Sequence, residues 1–342
     1  MHMADALLSP TVALAMNAVS IAAIGVSVAK VKKEELAEKI IPVMGIAGAL
    51  VFAGQMINFT IPATGSSGHI GGGILLAGLL GGVPAFLSIT AVLIIQCLFF
   101  ADGGLLALGC NIFNMGVIPC LIAYPLIFKT LIKRGIDNKS LSIASIAAVI
   151  IGLELGAFCV VLQTLLSGIT KLPFGTFTAL MLSIHSVIGF AEGIITAAIL
   201  CFIYKMRPEI IDSAQSGEQF SGGSMKNAFV ALVLLIVIVG GGLSLFASSN
   251  PDGLEWSMAK TSKQTIGVET ELDAEGTIFE IAAITQKSTA FLPGYAFASN
   301  PQNPAGTSVS GLIGATVTFL LAGMTGLVIS LMKKDRKLRA NV

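Results

Sequence analysis

Apolar residues fall in blocks along this chain. Runs at 9–29, 40–59, 70–82, 84–100, 105–128, 141–166 and 177–204 are separated by short charged or glycine-rich stretches, and two more follow at 228–246 and 309–332. Most hold the roughly 20 residues a helix needs to cross the hydrocarbon core of a bilayer, so the pattern predicts a first group of seven helices and a second group of two. The third run is short and rich in glycine. Counted as a crossing, it puts the basic loops 30–39, 129–139, 205–226 and 333–339 on one side, which the positive-inside rule makes the cytoplasm. Left out, it would invert every later loop and the rule would fail. The expected topology therefore has an extracytoplasmic N-terminus, a cytoplasmic C-terminus, and segments 60–68, 168–174 and 247–308 outside.

A Gly/Ser-rich stretch at 213–224 interrupts the blocks. It predicts a seven-helix membrane domain at 1–207, a cytoplasmic linker at 208–224 and a two-helix accessory unit at 225–342 whose helices flank the external loop 247–308. That loop carries Asp252, Glu255, Glu269, Glu271, Asp273, Glu275 and Glu280 against Lys260, Lys263 and Lys287. An acidic outer loop raises the local cation concentration, and it also serves solubility.

Composition agrees with a membrane protein: 54% of the 342 residues are hydrophobic and 11% charged, against about 25% charged in a soluble domain. A net charge of +1 gives no reason to expect nucleic acid. Cys97, Cys110, Cys120, Cys159 and Cys201 lie inside apolar runs without a Cys-x-x-Cys pair and read as small buried hydrophobes. No Gly-x-x-x-x-Gly-Lys-Ser/Thr phosphate loop occurs, so ATP hydrolysis by that route is excluded.

Chemistry is concentrated in few residues. In Met1-His2 the α-amine, the His2 amide nitrogen and the His2 imidazole can close fused chelate rings on one ion, leaving one in-plane position for a fourth nitrogen. An all-nitrogen plane selects Ni(II) or Cu(II) over zinc or magnesium. A frayed terminus is the ordinary state of such a dipeptide, so a fourth ligand must be found elsewhere. Residues 1–10 lack the basic start of a secretory leader, and Met1 is expected to be retained before a bulky second residue. The other histidines are His69 and His185. His69 follows Gly65-Ser66-Ser67-Gly68 and precedes Ile70-Gly71-Gly72-Gly73, on the same side as Met1-His2. Glycines there let backbone and ligand approach closely. His185 is either a hydrogen-bonded histidine of the bundle or a group that orients the ligands or passes the ion on. Gln55, Asn58, Gln96, Asp102, Asn111, Asn114, Glu154 and Glu192 are polar residues in or beside apolar helices. Asn111 and Asn114 share a helical face and are expected to hold helices together, with orientation of an inserted N-terminus as the alternative.

The start Met1-His2-Met3-Ala4-Asp5, Ser67-Gly68-His69, Asp102-Gly103-Gly104, Asn111 to Gly116 and His185 to Glu192 resemble the CbiM/NikM family, the substrate-capture subunits of energy-coupling factor transporters for cobalt or nickel. The tail, with Pro251-Asp252-Gly253-Leu254-Glu255, resembles the accessory NikN/CbiN-type PDGLE unit, here fused. The resemblance implies an all-α seven-helix bundle with the N-terminal segment inserted among the helices. It implies metal ligands from Met1, His2 and His69; the polar residues Asp5, Asp102, Asn111, Asn114 and His185 are, by their own placement, candidates to orient those ligands or carry the ion in transit. It further implies a transmembrane coupling subunit and two ATP-binding subunits as partners, no cofactor, and Ni(II) or Co(II) as cargo, the fused tail favouring nickel. Ala6 departs from the family, which commonly has glycine there, and this puts the path of the inserted strand in question. A competing enzyme reading takes Ser67 and His185 as the dyad of a rhomboid-like intramembrane serine protease, but it leaves Met1-His2 unexplained.

Overall fold

The computed structural model describes residues 1–33, 40–170, 172–216, 226–266 and 276–340. The expected linker residues 217–224 and the acidic Glu269, Glu271, Asp273 and Glu275 lie outside the described residues. Most of the described residues are helical. The helices are α1 (Pro10–Lys33), α2 (Ile40–Gln55), α3 (Gly73–Leu80), α4 (Gly82–Phe100), α5 (Leu108–Ile132), α6 (Asn138–Ser167), α7 (Phe174–Met206) and α8 (Pro208–Ser216). They are followed by α9 (Lys226–Ile236, continued by tighter and wider turns to Phe246), α10 (Gly253–Ile266), α11 (Thr277–Thr289) and α12 (Ala305–Ala340). A two-stranded antiparallel hairpin, β1 (Phe59–Ile61) and β2 (Ser66–Gly68), is the one sheet among the described residues. Seven of these helices are long and apolar enough to cross a membrane: α1, α4, α5, α6, α7, α9 and the first 20 residues of α12.

The short third run behaves differently from its neighbours. Its helix α3 has 8 residues, a rise of about 12 Å, well short of the ~30 Å hydrocarbon core. Residues 69–72, outside any helix or strand, lead into α3 from the β-hairpin, an irregular backbone that a membrane domain tolerates only where protein satisfies its polar groups. Gln55 Nε2 donates to the Gly71 carbonyl at 3.0 Å and the Gly72 N–H donates to Glu192 Oε1 at 2.8 Å. All eight residues of α3 are buried. Its far end, Gly81, faces the Ala214 carbonyl of α8.

Proline shapes α5. Pro119 and Pro125 remove two N–H donors, and residues Phe113–Phe128 adopt the wider π-helical bonding. Gly73 at the start of α3 packs on the Pro119 ring, which a Cβ would approach to 2.6 Å. Helix α6 begins at a capping box in which Asp137 accepts from the Ser140 N–H at 2.6 Å.

The accessory unit is more structured than the sequence suggests. The loop 247–308 contains α10, α11 and a 3-10 turn at Pro293–Tyr295, and so is not a plain connection between two helices. Its apolar positions are spaced too sparsely among charges to stand out as helical runs. Small residues let α9, α12 and α2 cross closely. A Cβ on Gly45 would lie 2.9 Å from the Phe319 carbonyl oxygen, and one on Gly311 would lie 2.5 Å from the Gly240 carbonyl oxygen.

Both atoms at the Gly311 contact belong to backbone, so neither can rotate away. Gly311→Ala is expected to lower the melting temperature of the detergent-solubilised protein, with a cost of about 1–3 kcal/mol. Gly323, around which nothing lies within 4 Å, is the control: Gly323→Ala should be neutral or stabilising by up to about 1 kcal/mol. Thermal unfolding of the three proteins side by side checks this, and equal melting temperatures for the two variants would count against the close α9–α12 crossing.

Candidate metal centre

The first nine residues thread into the bundle. Met3, Leu7 and Leu8 are fully buried and anchor the segment. Between them the backbone is held residue by residue. The Met3 N–H donates to Asn111 Oδ1 at 2.8 Å, the Met3 carbonyl accepts from the Gly104 N–H at 2.9 Å and from Asn111 Nδ2 at 3.2 Å, and Asp5 Oδ1 accepts from the Ala107 N–H at 2.8 Å. Burial pushes the Asp5 carboxyl up, against the backbone donors of residues 105–107. Gly103 has φ +79, and a Cβ on Gly104 would overlap the Asp5 carboxylate, so both glycines are required by the inserted strand. Ala6 sits in a 3-10 turn, Asp5–Leu7, and is absent from the positive-φ residues; alanine fits where the family commonly has glycine.

This threading gathers nitrogen atoms. The Met1 amine donates to Asp252 Oδ2 at 2.8 Å. The His2 ring stacks on the His69 ring with centroids 5.6 Å apart. His2 Nε2 lies 3.1 Å from Gln96 Oε1 and Nδ1 lies 3.3 Å from Asp102 Oδ1. His69 Nδ1 is 3.0 Å from the Ile70 carbonyl oxygen; because a carbonyl only accepts, Nδ1 carries the hydrogen and Nε2 keeps its lone pair.

The electrostatics favour neutral rings. Burial lowers the His2 imidazole, outweighing the opposing pull of Asp102. His69 is pushed down to about 4 by burial, by the N-terminal charge and by His2. Burial alone would raise Asp252, but the charge and hydrogen bond of the Met1 ammonium, helped by the Glu255 N–H, hold it well below the usual carboxylate range. A cavity of about 840 Å³, lined by His2, His69, Asp102, Asp252, Glu255 and Glu280 among others, opens above this cluster. A second, of about 40 Å³, lies behind it between His69, His185 and Glu192.

The remaining candidates divide. Asp102 is held by the Tyr295 hydroxyl, which donates to Oδ2 at 2.5 Å. Asn111 bonds the main chain of the inserted strand, whereas Asn114 pairs with Gln163 of α6 through bonds of 2.8 and 3.0 Å, tying helices together, and touches the strand only at the Met3 sulfur, 3.8 Å away. His185 bonds the Met181 carbonyl at 2.7 Å, and its ring edge abuts Gly253, where a Cβ would come within 2.9 Å of Cε1. Ser67 donates to the Asn250 carbonyl at 2.7 Å, so neither member of the presumed serine–histidine dyad addresses the other. Sequence reasoning did not assign Asp252, Gln55, Gln96, Glu192 and Tyr295 to the site. Buried amides and a carboxylate in apolar helices were the available signal for three of them. Among the described residues no three His, Cys, Asp or Glu side chains converge as a metal cluster.

Residues 2–210 match the model of the CbiM family, described as a cobalt uptake substrate-specific transmembrane region, and residues 226–331 match the PDGLE domain. The putative fused nickel transport protein NikMN of Archaeoglobus fulgidus is 32% identical over 238 residues, 69% of this chain and 75% of that protein. The probable fused nickel transport protein LarMN of Lactiplantibacillus plantarum is 31% identical over 270 residues, 75% of this chain and 78% of that protein. A crystal structure of a truncated transition metal transporter superposes with TM-score 0.53 at 28% identity, covering 60% of this chain and 99% of that one. None of these lends support to a protease. The chain is a multi-pass membrane protein of nickel or cobalt transport, not an enzyme, and it belongs to the CbiM family with a PDGLE domain following in the same polypeptide.

Proposed function

We propose that this chain captures Ni(II) or Co(II) from the extracytoplasmic side and delivers it inward as the substrate-binding subunit of an energy-coupling factor transporter. The observation that carries the reading is the meeting of Met1 and His2 at His69, which lines one cavity with Met1 and the other with His2, the two rings 5.6 Å apart. In the proposed complex the ion takes the Met1 amine, the deprotonated His2 amide, His2 Nδ1 and His69 Nε2 as its four nitrogens. His2 contributes Nδ1 because only that ring atom is near enough to the main chain to close a compact ring with the amide nitrogen. The hydrated ion would enter through the acidic cavity of about 840 Å³ and exchange water for nitrogen. Asp252 and Asp102 now occupy the places beside the amine and Nδ1 that the ion would take.

The N-terminus is then outside and the C-terminus cytoplasmic, in keeping with the basic loops. Inward release would be driven by a transmembrane coupling subunit and two ATP-binding subunits, since this chain has no phosphate loop of its own. Nickel is preferred over cobalt in this reading, on the strength of relatives named as fused nickel transport proteins with the same two-part layout. Asp5 and Asn111 would hold the inserted strand, Asp102 would orient His2, and His185 and Asn114 would shape the bundle behind the site.

Three outcomes test this. Protein with its native Met1 should carry about one nickel or cobalt per chain, and protein with one extra residue before Met1 should lose it, because the chelate needs a terminal amine; metal analysis and the visible spectrum decide, and equal metal in both forms would rule the chelate out. His69→Ala should weaken nickel binding at least about 10–100-fold while Ser67→Ala leaves it largely intact, measured by chelator competition. Finally, affinity should fall as pH falls. With both rings held neutral, His69 down to about 4, the protons displaced near neutral pH come from the amine and the amide, about two per ion. Titration calorimetry in buffers of different ionisation enthalpy counts them, and a count near zero would contradict the ligand set.

A further inference from the structure

Buried carboxamides in an apolar helix bundle need partners, and Gln55 of α2 and Gln96 of α4 find theirs in single file. Gln55 Nε2 donates to the Gly71 carbonyl at 3.0 Å, Gln96 Nε2 donates to Gln55 Oε1 at 2.9 Å, and Gln96 Oε1 stands 3.1 Å from His2 Nε2. Gln55 is 4% exposed and Gln96 0%. We infer that Gln55 and Gln96 are positioning residues that fix the His2 tautomer whose Nδ1 faces the metal. The inference rests on the metal reading of Met1, His2 and His69.

The direction of the file follows from one end. A main-chain carbonyl only accepts, so Gly71 obliges Gln55 to present its NH₂ group. Gln55 therefore turns Oε1 toward Gln96, which must answer with its own NH₂. That leaves Gln96 Oε1 toward the imidazole, and an acceptor there is satisfied by Nε2–H. In a neutral ring with its hydrogen on Nε2, Nδ1 keeps the lone pair. Nδ1 is the ring atom that can close a chelate with the His2 amide nitrogen through Cα, Cβ and Cγ.

Asp102 pulls the other way. Its Oδ1 lies 3.3 Å from Nδ1, and its Oδ2 is fixed by the Tyr295 hydroxyl. One ring hydrogen thus faces two acceptors, Asp102 at Nδ1 and Gln96 at Nε2. An ion on Nδ1 removes the first option, and Gln96 then receives the hydrogen. The file acts on the loaded state, so its loss is read in metal affinity. Its far end also bears on the fourth ligand: Gly71 lies two residues from His69, and the next residue, Gly72, is gripped by Glu192. The same chain of bonds that orients His2 steadies the segment that carries His69.

Chelator-competition measurement of Ni(II) affinity, with the visible absorption of the bound ion, tests this on the full-length chain with its native terminus. Gln96→Leu and Gln55→Leu are expected to weaken binding about 10–100-fold and shift the absorption. Gln96→Glu, whose carboxylate still accepts from Nε2–H, is expected to recover most of the affinity. A merely structural role for Gln96 predicts the reverse order, since leucine is the better tolerated buried side chain and a lone carboxylate the worse. The inference is overturned if the leucine variants bind within about twofold of the native protein with an unchanged spectrum, or if Gln96→Glu binds as weakly as Gln96→Leu. Where Gln96→Leu is not recovered as a monodisperse protein, Gln55→Leu, which does not touch His2, carries the test. Absence of nickel from the native protein would defeat the metal reading itself, an outcome distinct from any difference among the variants.

Discussion

A charged amine and the first peptide groups of a chain are buried inside a membrane domain, and each must be given a partner there. Packed among helices they have lost most of their access to water, and an unpaired buried polar group costs on the order of a few kcal/mol. Much of the site follows from that requirement. The ammonium of Met1 takes Asp252, Met3 takes Asn111 and Gly104, and Asp5 takes the turn at Ala107. Side chains that look like separate polar intrusions in the sequence are the partners of one inserted strand.

The same requirement explains where the fold departs from plain helices. Residues 69–72 run outside any helix or strand, which leaves their N–H and C=O groups without helical partners; Gln55 takes the Gly71 carbonyl and Glu192 the Gly72 N–H. A continuous helix would have satisfied its own backbone and needed neither side chain. The glycines are the steric counterpart. Gly72 has φ +78 and its missing Cβ makes room for Val51, while Gly104 makes room for Asp5.

Much of this was legible in the sequence. Long apolar runs predicted the membrane helices because burial in lipid demands about 20 residues at a time, and the Met1-His2 chemistry with His69 on the same side could be proposed from donor type alone. Other features were hidden for physical reasons. Helices α10 and α11 are short and mostly polar, so no hydrophobic period announces them. Asp252 read as one of many acids in an outer loop, since pairing across 251 residues leaves no local trace. Gln55 and Gln96 were visible as unusual polar residues, but the order of donors and acceptors in their file depends on Gly71, whose carbonyl no sequence pattern identifies as unpaired. Asn111 and Asn114 share a helical face and both meet Met3 of the inserted strand, but Asn111 bonds its main chain while Asn114 reaches only its sulfur and gives its amide to Gln163.

The accessory unit is part of the site's architecture, not an appendage to it. Its turn at residues 250–252 is seated by Ser67, whose hydroxyl and N–H donate to the Asn250 and Pro251 carbonyls at 2.7 and 2.8 Å, and Trp256 Nε1 donates to the Thr64 carbonyl at 2.9 Å. These neutral bonds contribute about 1 kcal/mol each. The ion pair of Asp252 with the Met1 ammonium adds a charged contact in a poorly solvated place, where loss of one partner is far costlier than loss of the pair together. Tyr295 and Gln286 reach the same region from further along the unit, to Asp102 and to the Gly103 carbonyl. On the proposed chelate the arriving ion replaces the ammonium proton, so the contact that holds Asp252 to Met1 is the one that loading changes most. The neutral bonds to Ser67 and Thr64 do not depend on that charge, which lets the unit stay seated while its carboxylate gives up the amine.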